Sequence, residues 1–178
     1  GWVLISSLVM GCIERGIDLM LKTPARELVV ENGRVIGVRA EREGRDFLVK
    51  GRKGVLLAAG GDDWNMKLHK QFMLGPTPHP HTPPSNEGDG HIMGMEIGAA
   101  VAMMESSVSC PAMDAGETYE GRPLYMSASS NMGKPGDMVV NRSGKRCCDE
   151  SFYLDVGKAF CSQDLLNLEY SNVPMFWI

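Results

Sequence analysis

Long hydrophobic runs are missing from this 178-residue sequence, and none approaches the roughly 18–20 residues of a membrane-spanning helix. A basic excess is missing too. The 18 Lys and Arg face 22 Asp and Glu, a net charge of −4 with no basic stripe, so nucleic acid is not an expected partner. Cysteine is sparse: five residues, odd in number and irregularly spaced, which suits a reducing, cytoplasmic setting better than a disulfide framework. There is no Gly-x-Ser-x-Gly elbow, no Walker loop and no Cys/His pairing at a recognisable spacing. His79-Pro80-His81 and Cys147-Cys148 lack the spacing of a zinc site, and no metal is expected. What is present, 43% hydrophobic and 22% charged residues, is the composition of a globular protein with a sizeable core.

The chain opens on Gly1-Trp2 and stops at Met175-Phe176-Trp177-Ile178, an apolar tetrad that reads as a strand entering a sheet. It is therefore expected to be an internal piece of a larger protein. Apolar residues at Leu4, Leu8 and Cys12, beside Ile5, Val9 and Ile13, predict a first helix that Gly16 ends. Ile17 to Leu21 reads as a short strand. Period-two segments at 27–30 and 35–39, joined through Asn32-Gly33, predict a hairpin, and a turn at Glu43-Gly44-Arg45 leads to a third strand at 47–50. The run Gly54–Gly61 reads as a strand buried on both faces, and residues 65–73 as a helix.

Composition shifts at Gly75. Half of the ten prolines fall between residues 75 and 90, marking a long loop or crossing before a helix over 90–99. Residues 105–136 carry almost no periodic signal. Met138 to Asn141, a turn at Arg142-Ser143-Gly144 and the chain from Arg146 predict a second hairpin.

Three glycine constellations bear on function. Ala59-Gly60-Gly61 ends an apolar strand, where an α/β sheet places its ligands; a plain strand-to-helix turn needing positive φ explains it equally well. Asn86-Glu87-Gly88-Asp89-Gly90 precedes a helix, and Asp89 is either a simple cap or an acceptor for the hydroxyls of a polyol-bearing ligand. Val140 to Arg146 reads by default as a solvated turn.

Taken in order, these segments resemble a known family. Thr23-Pro24-Ala25, the Asn32-Gly33 hairpin, Gly54 to Gly61 with Asn65, Asn86-x-Gly-Asp-Gly, Gly98-Ala99-Ala100 and Val140-Asn141-Arg142-x-Gly-Lys-Arg-x-x-Asp-Glu150 are similar to the FAD-dependent oxidoreductases that include fumarate reductase, succinate dehydrogenase and 3-ketosteroid dehydrogenase. The resemblance implies an α+β fold. Residues 1–75 would be part of an FAD-binding domain with its β-meander, and residues 76–178 most of a capping, substrate-side domain. It implies FAD contacts at Ala25, Ala59, Gly60, Gly61, Asn86 and Asp89. The family's dinucleotide fingerprint lies outside this sequence, so the isolated chain is expected to be free of FAD, inactive and prone to self-association through uncovered apolar surface.

The branch follows from the site positions. Where fumarate reductases carry His-Pro, Thr-Glu and Arg, this chain has Cys110-Pro111, Ser129-Ser130 and Gly133. Neutral side chains do not hold a dicarboxylate. A tyrosine near position 153 and Lys134-Pro135-Gly136 resemble the 3-ketosteroid dehydrogenase branch. The implied reaction is α,β-dehydrogenation of a hydrophobic ketone or its reverse, with Tyr153 as acid/base and hydride exchanged with flavin N5. The alternatives are an enoate reductase with an altered anion site, or a structural piece without catalysis.

Overall fold

The computed structural model describes residues 1–73, 75–76, 80–105, 110–129 and 131–178. Four helices and several antiparallel sheets make up these residues, and the chain divides into two compact units, Gly1–Leu57 and Ala58–Ile178.

The first unit begins with α1, Trp2–Glu14. Its apolar sequence favours helix, and its end has a local cause. Gly16 adopts φ +64°, its N–H donates to the Ile13 carbonyl, and the Ile17 N–H reaches back to Cys12, the paired bonds of a Schellman stop. No residue of α1 is buried; Trp2 and Val3 are more than four-fifths exposed. The expected strand at 17–21 does not form, since no neighbouring strand pairs with it and an isolated strand leaves its ladder unmade.

The meander forms as the sequence predicts. Strands β1 (Ala25–Glu31), β2 (Arg34–Arg42) and β3 (Arg45–Lys50) pair antiparallel in that order. Asn32 and Gly33 both take positive φ, as do Glu43 and Gly44, so each two-residue turn matches the strand twist. Leu28 faces Val38, which faces Val49 across the sheet. Ala40 is buried, while exposed cross-strand pairs Arg39–Glu27 (2.7 Å) and Arg26–Glu41 (2.9 Å) lace the outer edge. The predicted strand ending at Gly61 is absent. Residues 55–60 have no ladder partner, and Leu56 is 89% exposed, the reverse of a strand buried on both faces.

In the second unit, α2 (Met66–Phe72) and α3 (Asp89–Glu96) lie where expected. Strands β4 (Ala112–Tyr119) and β5 (Arg122–Ser127) form a hairpin that periodicity did not reveal. Its turn, Glu120-Gly121, again has two positive φ values. The hairpin expected after Met138 is reduced to one bridge, Val140 to Arg146. Strand β6 (Val139–Asn141) pairs instead with β9 (Met175–Trp177), as the apolar end of the sequence implied for a strand there. Helix α4 (Tyr153–Phe160) and the short strands β7 (Gln163–Asp164) and β8 (Glu169–Tyr170) lie between them. Among the described residues of this unit, Trp64, Leu68, Met93, Ala128, Val139, Val156 and Ala159 are buried apolar residues.

Candidate cofactor and proton-transfer sites

Two loops of the second unit are stitched together by backbone polarity. Gly88 N–H donates to Gly61 O (3.0 Å), Trp64 N–H to Asn86 O (2.9 Å), and the Asn65 carboxamide to Glu87 O (2.9 Å). Asn65 also caps α2, its Oδ1 accepting from the Lys67 and Leu68 N–H groups at 3.1 Å. This stitching brings Gly60 against the Asn86 side chain and Gly61 against Gly88.

The glycines are required by geometry. Gly60 has φ +83°, and a Cβ there would stand 2.5 Å from Asn86 Oδ1. Gly88 has the same φ, and a Cβ there would meet Leu68 Cδ1 at 2.7 Å and Asp62 Cβ at 3.0 Å. Two features call for glycine at position 60: the positive φ, and the Asn86 amide packed where a Cβ would stand. Asp89 opens α3 and is exposed, so its carboxylate faces solvent at the positive end of the helix. Ala59 and Gly60 are exposed residues, and their backbone N–H groups have no hydrogen-bond partner among the described residues. Ala25 opens β1 opposite Ala40, in the first unit.

Tyr153 is the first residue of α4. It is 40% exposed, its ring stands 6.0 Å from that of Phe152, and its hydroxyl has no hydrogen bond among the described residues. It is therefore not a tyrosine satisfied in a core. No hydrogen bond joins it to the Gly60–Asp89 group among the described residues.

The segment leading to Tyr153 is held rigidly. Glu150 is only 4% exposed, and its Oε1 accepts from Val139 N–H at 2.7 Å and Arg146 Nε at 3.1 Å. Its Oε2 accepts from Arg146 Nη2 at 2.6 Å. The guanidinium's hydrogen bonds, outweighing the cost of burial, hold the Glu150 carboxyl down at about 2. Gly133, at φ +78°, packs on this segment: a Cβ there would lie 2.7 Å from Ser151 Cα. Sequence reasoning quoted Arg146 and Glu150 as part of a motif but missed that they lock β6 to the start of α4.

The cysteine pair behaves as packing. Cys147 lies against the Val139 carbonyl and Met175 sulfur, and the Cys148 thiol is pushed up to about 12, first by burial and then by its neighbours Cys147 and Glu150. Among the described residues no three His, Cys, Asp or Glu side chains cluster as a metal site would require. His79 and Ser130, both named from the sequence, lie outside the described residues. Among the described residues no helix is long and apolar enough to cross a membrane.

A family model described as FAD binding domain matches residues 3–167, and the chain belongs to that family of FAD-dependent oxidoreductases. Within it the chain is 34% identical over 158 residues to a 3-oxosteroid 1-dehydrogenase of Mycolicibacterium smegmatis, covering 85% of this chain and 27% of that protein. It is 29% identical to a 4-oxocyclohexanecarboxylate 2-dehydrogenase of Sinomonas cyclohexanicum, covering 92% of this chain and 29% of that protein. The crystal structure of a 3-ketosteroid delta1-dehydrogenase from Sterolibacterium denitrificans, in complex with 1,4-androstadiene-3,17-dione, superposes with a TM-score of 0.71 at 32% identity. That match covers 83% of this chain and 27% of the other. The chain thus spans little more than a quarter of the length of these relatives.

Proposed function

We propose that this chain is a segment of an FAD-dependent ketone dehydrogenase, with residues 1–75 belonging to its cofactor domain and residues 76–178 to the domain that caps the substrate. The observation that carries this reading is the 34% identity to a 3-oxosteroid 1-dehydrogenase over 85% of the chain. FAD, when bound, supplies a hydride acceptor for the carbon next to the one that loses a proton. Toward it the second unit offers the exposed residues Ala59 and Gly60, with Gly61, the Asn86 amide and the Asp89 carboxylate.

Tyr153 exchanges the proton, at its phenol oxygen, with the carbon adjacent to the ketone. Its hydroxyl has no hydrogen bond among the described residues and the residue is 40% exposed, which leaves it available for a substrate. The Arg146–Glu150 lock and the Gly133 turn act by positioning the start of α4. A hydrophobic ketone, such as a 3-ketosteroid, suits the neutral Cys110, Ser129 and Gly133 better than fumarate does, because a dicarboxylate needs cationic donors at those places.

The test is made on the full-length protein that contains this chain. Its flavin content and its rates on a 3-ketosteroid, on 4-oxocyclohexanecarboxylate and on fumarate should be measured together. Bound flavin with dehydrogenation of a ketone and no fumarate reduction is expected. A flavin-free protein, or one that reduces fumarate and leaves ketones untouched, contradicts the proposal.

A further inference from the structure

The five cysteines of this chain are all free thiols, but their surroundings differ. Cys148 and Cys161 are held protonated by burial, and Cys147 is occupied by the Val139 carbonyl and the Met175 sulfur. Cys110 has different company. Its Sγ stands 2.9 Å from His81 Nε2 and 3.8 Å from Ser127 Oγ, which in turn lies 2.7 Å from Ser129 Oγ.

The fold builds this pair from two sides. The β4–β5 register sets Ala112 opposite Ser127, and Ala128 N–H donates to Pro111 O, so Cys110 comes to rest beside the serines. His81 arrives on the proline-rich loop, where Pro80 and Pro83 restrict the backbone. Its neighbour Thr82 is anchored through its carbonyl by the indole N–H of buried Trp64 at 2.9 Å. Arg122 of β5 stacks over that same indole at 5.5 Å and reaches Glu87, tying hairpin to loop. Cys110 itself is half-buried and His81 is exposed.

We propose that Cys110, with His81 as its base, is a site of covalent addition for α,β-unsaturated carbonyl compounds. His81 Nε2 takes the thiol proton as the sulfur electron pair forms a bond to the β-carbon of the alkene. The alkene π pair moves toward the carbonyl as an enolate, and the imidazolium returns the proton to the α-carbon. The sum is an addition across C=C that needs no oxidant, reductant or leaving group. It rests on the Cys110–His81 geometry.

The test is a time course of the full chain with a limiting amount of 2-cyclohexen-1-one, read as adduct at each cysteine by peptide mass mapping. Cys12, on exposed α1 and without a histidine partner among the described residues, is the internal reference. Cys110 is expected to react about tenfold faster than Cys12 and to lose that lead in His81→Gln, which keeps a polar side chain but cannot take up the proton. Circular dichroism of the variant checks that its fold is kept. A Cys110 that reacts no faster than Cys12 in the unsubstituted chain overturns the proposal, and so does a lead that survives His81→Gln.

Discussion

The two compact units hold themselves together by different means. In Gly1–Leu57 the order is local: three strands adjacent in sequence, two tight turns, and partners never far apart along the chain. In Ala58–Ile178 the decisive contacts are distant in sequence. Gly88 meets Gly61, β6 meets β9, and Arg122 of the β4–β5 hairpin reaches Glu87. Structure of the first kind follows from hydrophobic period and turn chemistry, whereas the second depends on polar groups finding partners that no local pattern announces. The proposed chemistry sits mostly in the second kind.

The comparison can be broken first at Gly37, the buried glycine of β2. A Cβ there would lie 2.3 Å from the Val49 carbonyl oxygen, a backbone atom that cannot turn aside. Gly37→Ala should therefore weaken the meander by about 3 kcal/mol. Amide exchange over residues 25–50 measures this, and unchanged protection would show that the sheet absorbs the clash.

Next in size is Glu150. Replacing it with Ala leaves the Val139 N–H without its acceptor, a loss of about 2 kcal/mol in denaturant unfolding. Glu150→Gln keeps an acceptor and should lose less. The pH dependence has a definite sign. Because folding lowers this carboxyl from its ordinary 4.5 to about 2, its contribution is complete above the unfolded value and disappears as the pH falls from 4.5 toward 2. An acid titration of stability in which Glu150→Gln follows the unsubstituted chain through that window would contradict the assignment.

The smallest effect concerns Asn65. Its removal as Asn65→Ala deletes the cap of α2 and the bond to Glu87, at a cost of about 1 kcal/mol. Thermal unfolding reads it directly, and an unchanged midpoint would mean that the stitching of the two loops does not depend on this side chain.

These cases also show how far the sequence could be read. Asn32-Gly33 and Glu43-Gly44 were legible because each turn demands positive φ and lies between alternating segments. The Glu120-Gly121 hairpin was not, although it uses the same device, since Ala112–Tyr119 carries little apolar alternation. The run 55–60 misled because a continuous apolar stretch announces burial, while burial needs neighbouring strands that these residues do not meet. The joining of the loops around Gly61 and Asn86 left no local signal in the sequence, and its physical means, the Gly88–Gly61 and Trp64–Asn86 bonds, became visible only in three dimensions. The approach of His81 to Cys110 is 29 residues long in sequence and left no local trace.

The central claim, that Tyr153 handles the proton in ketone dehydrogenation, is tested most directly by Tyr153→Phe in the full-length flavoprotein. The substitution keeps the ring and its contact with Phe152 while removing the oxygen. The account predicts a fall in turnover of about 10²- to 10⁴-fold, with flavin content and fold unchanged. Full dehydrogenation rates on every accepted ketone would contradict it.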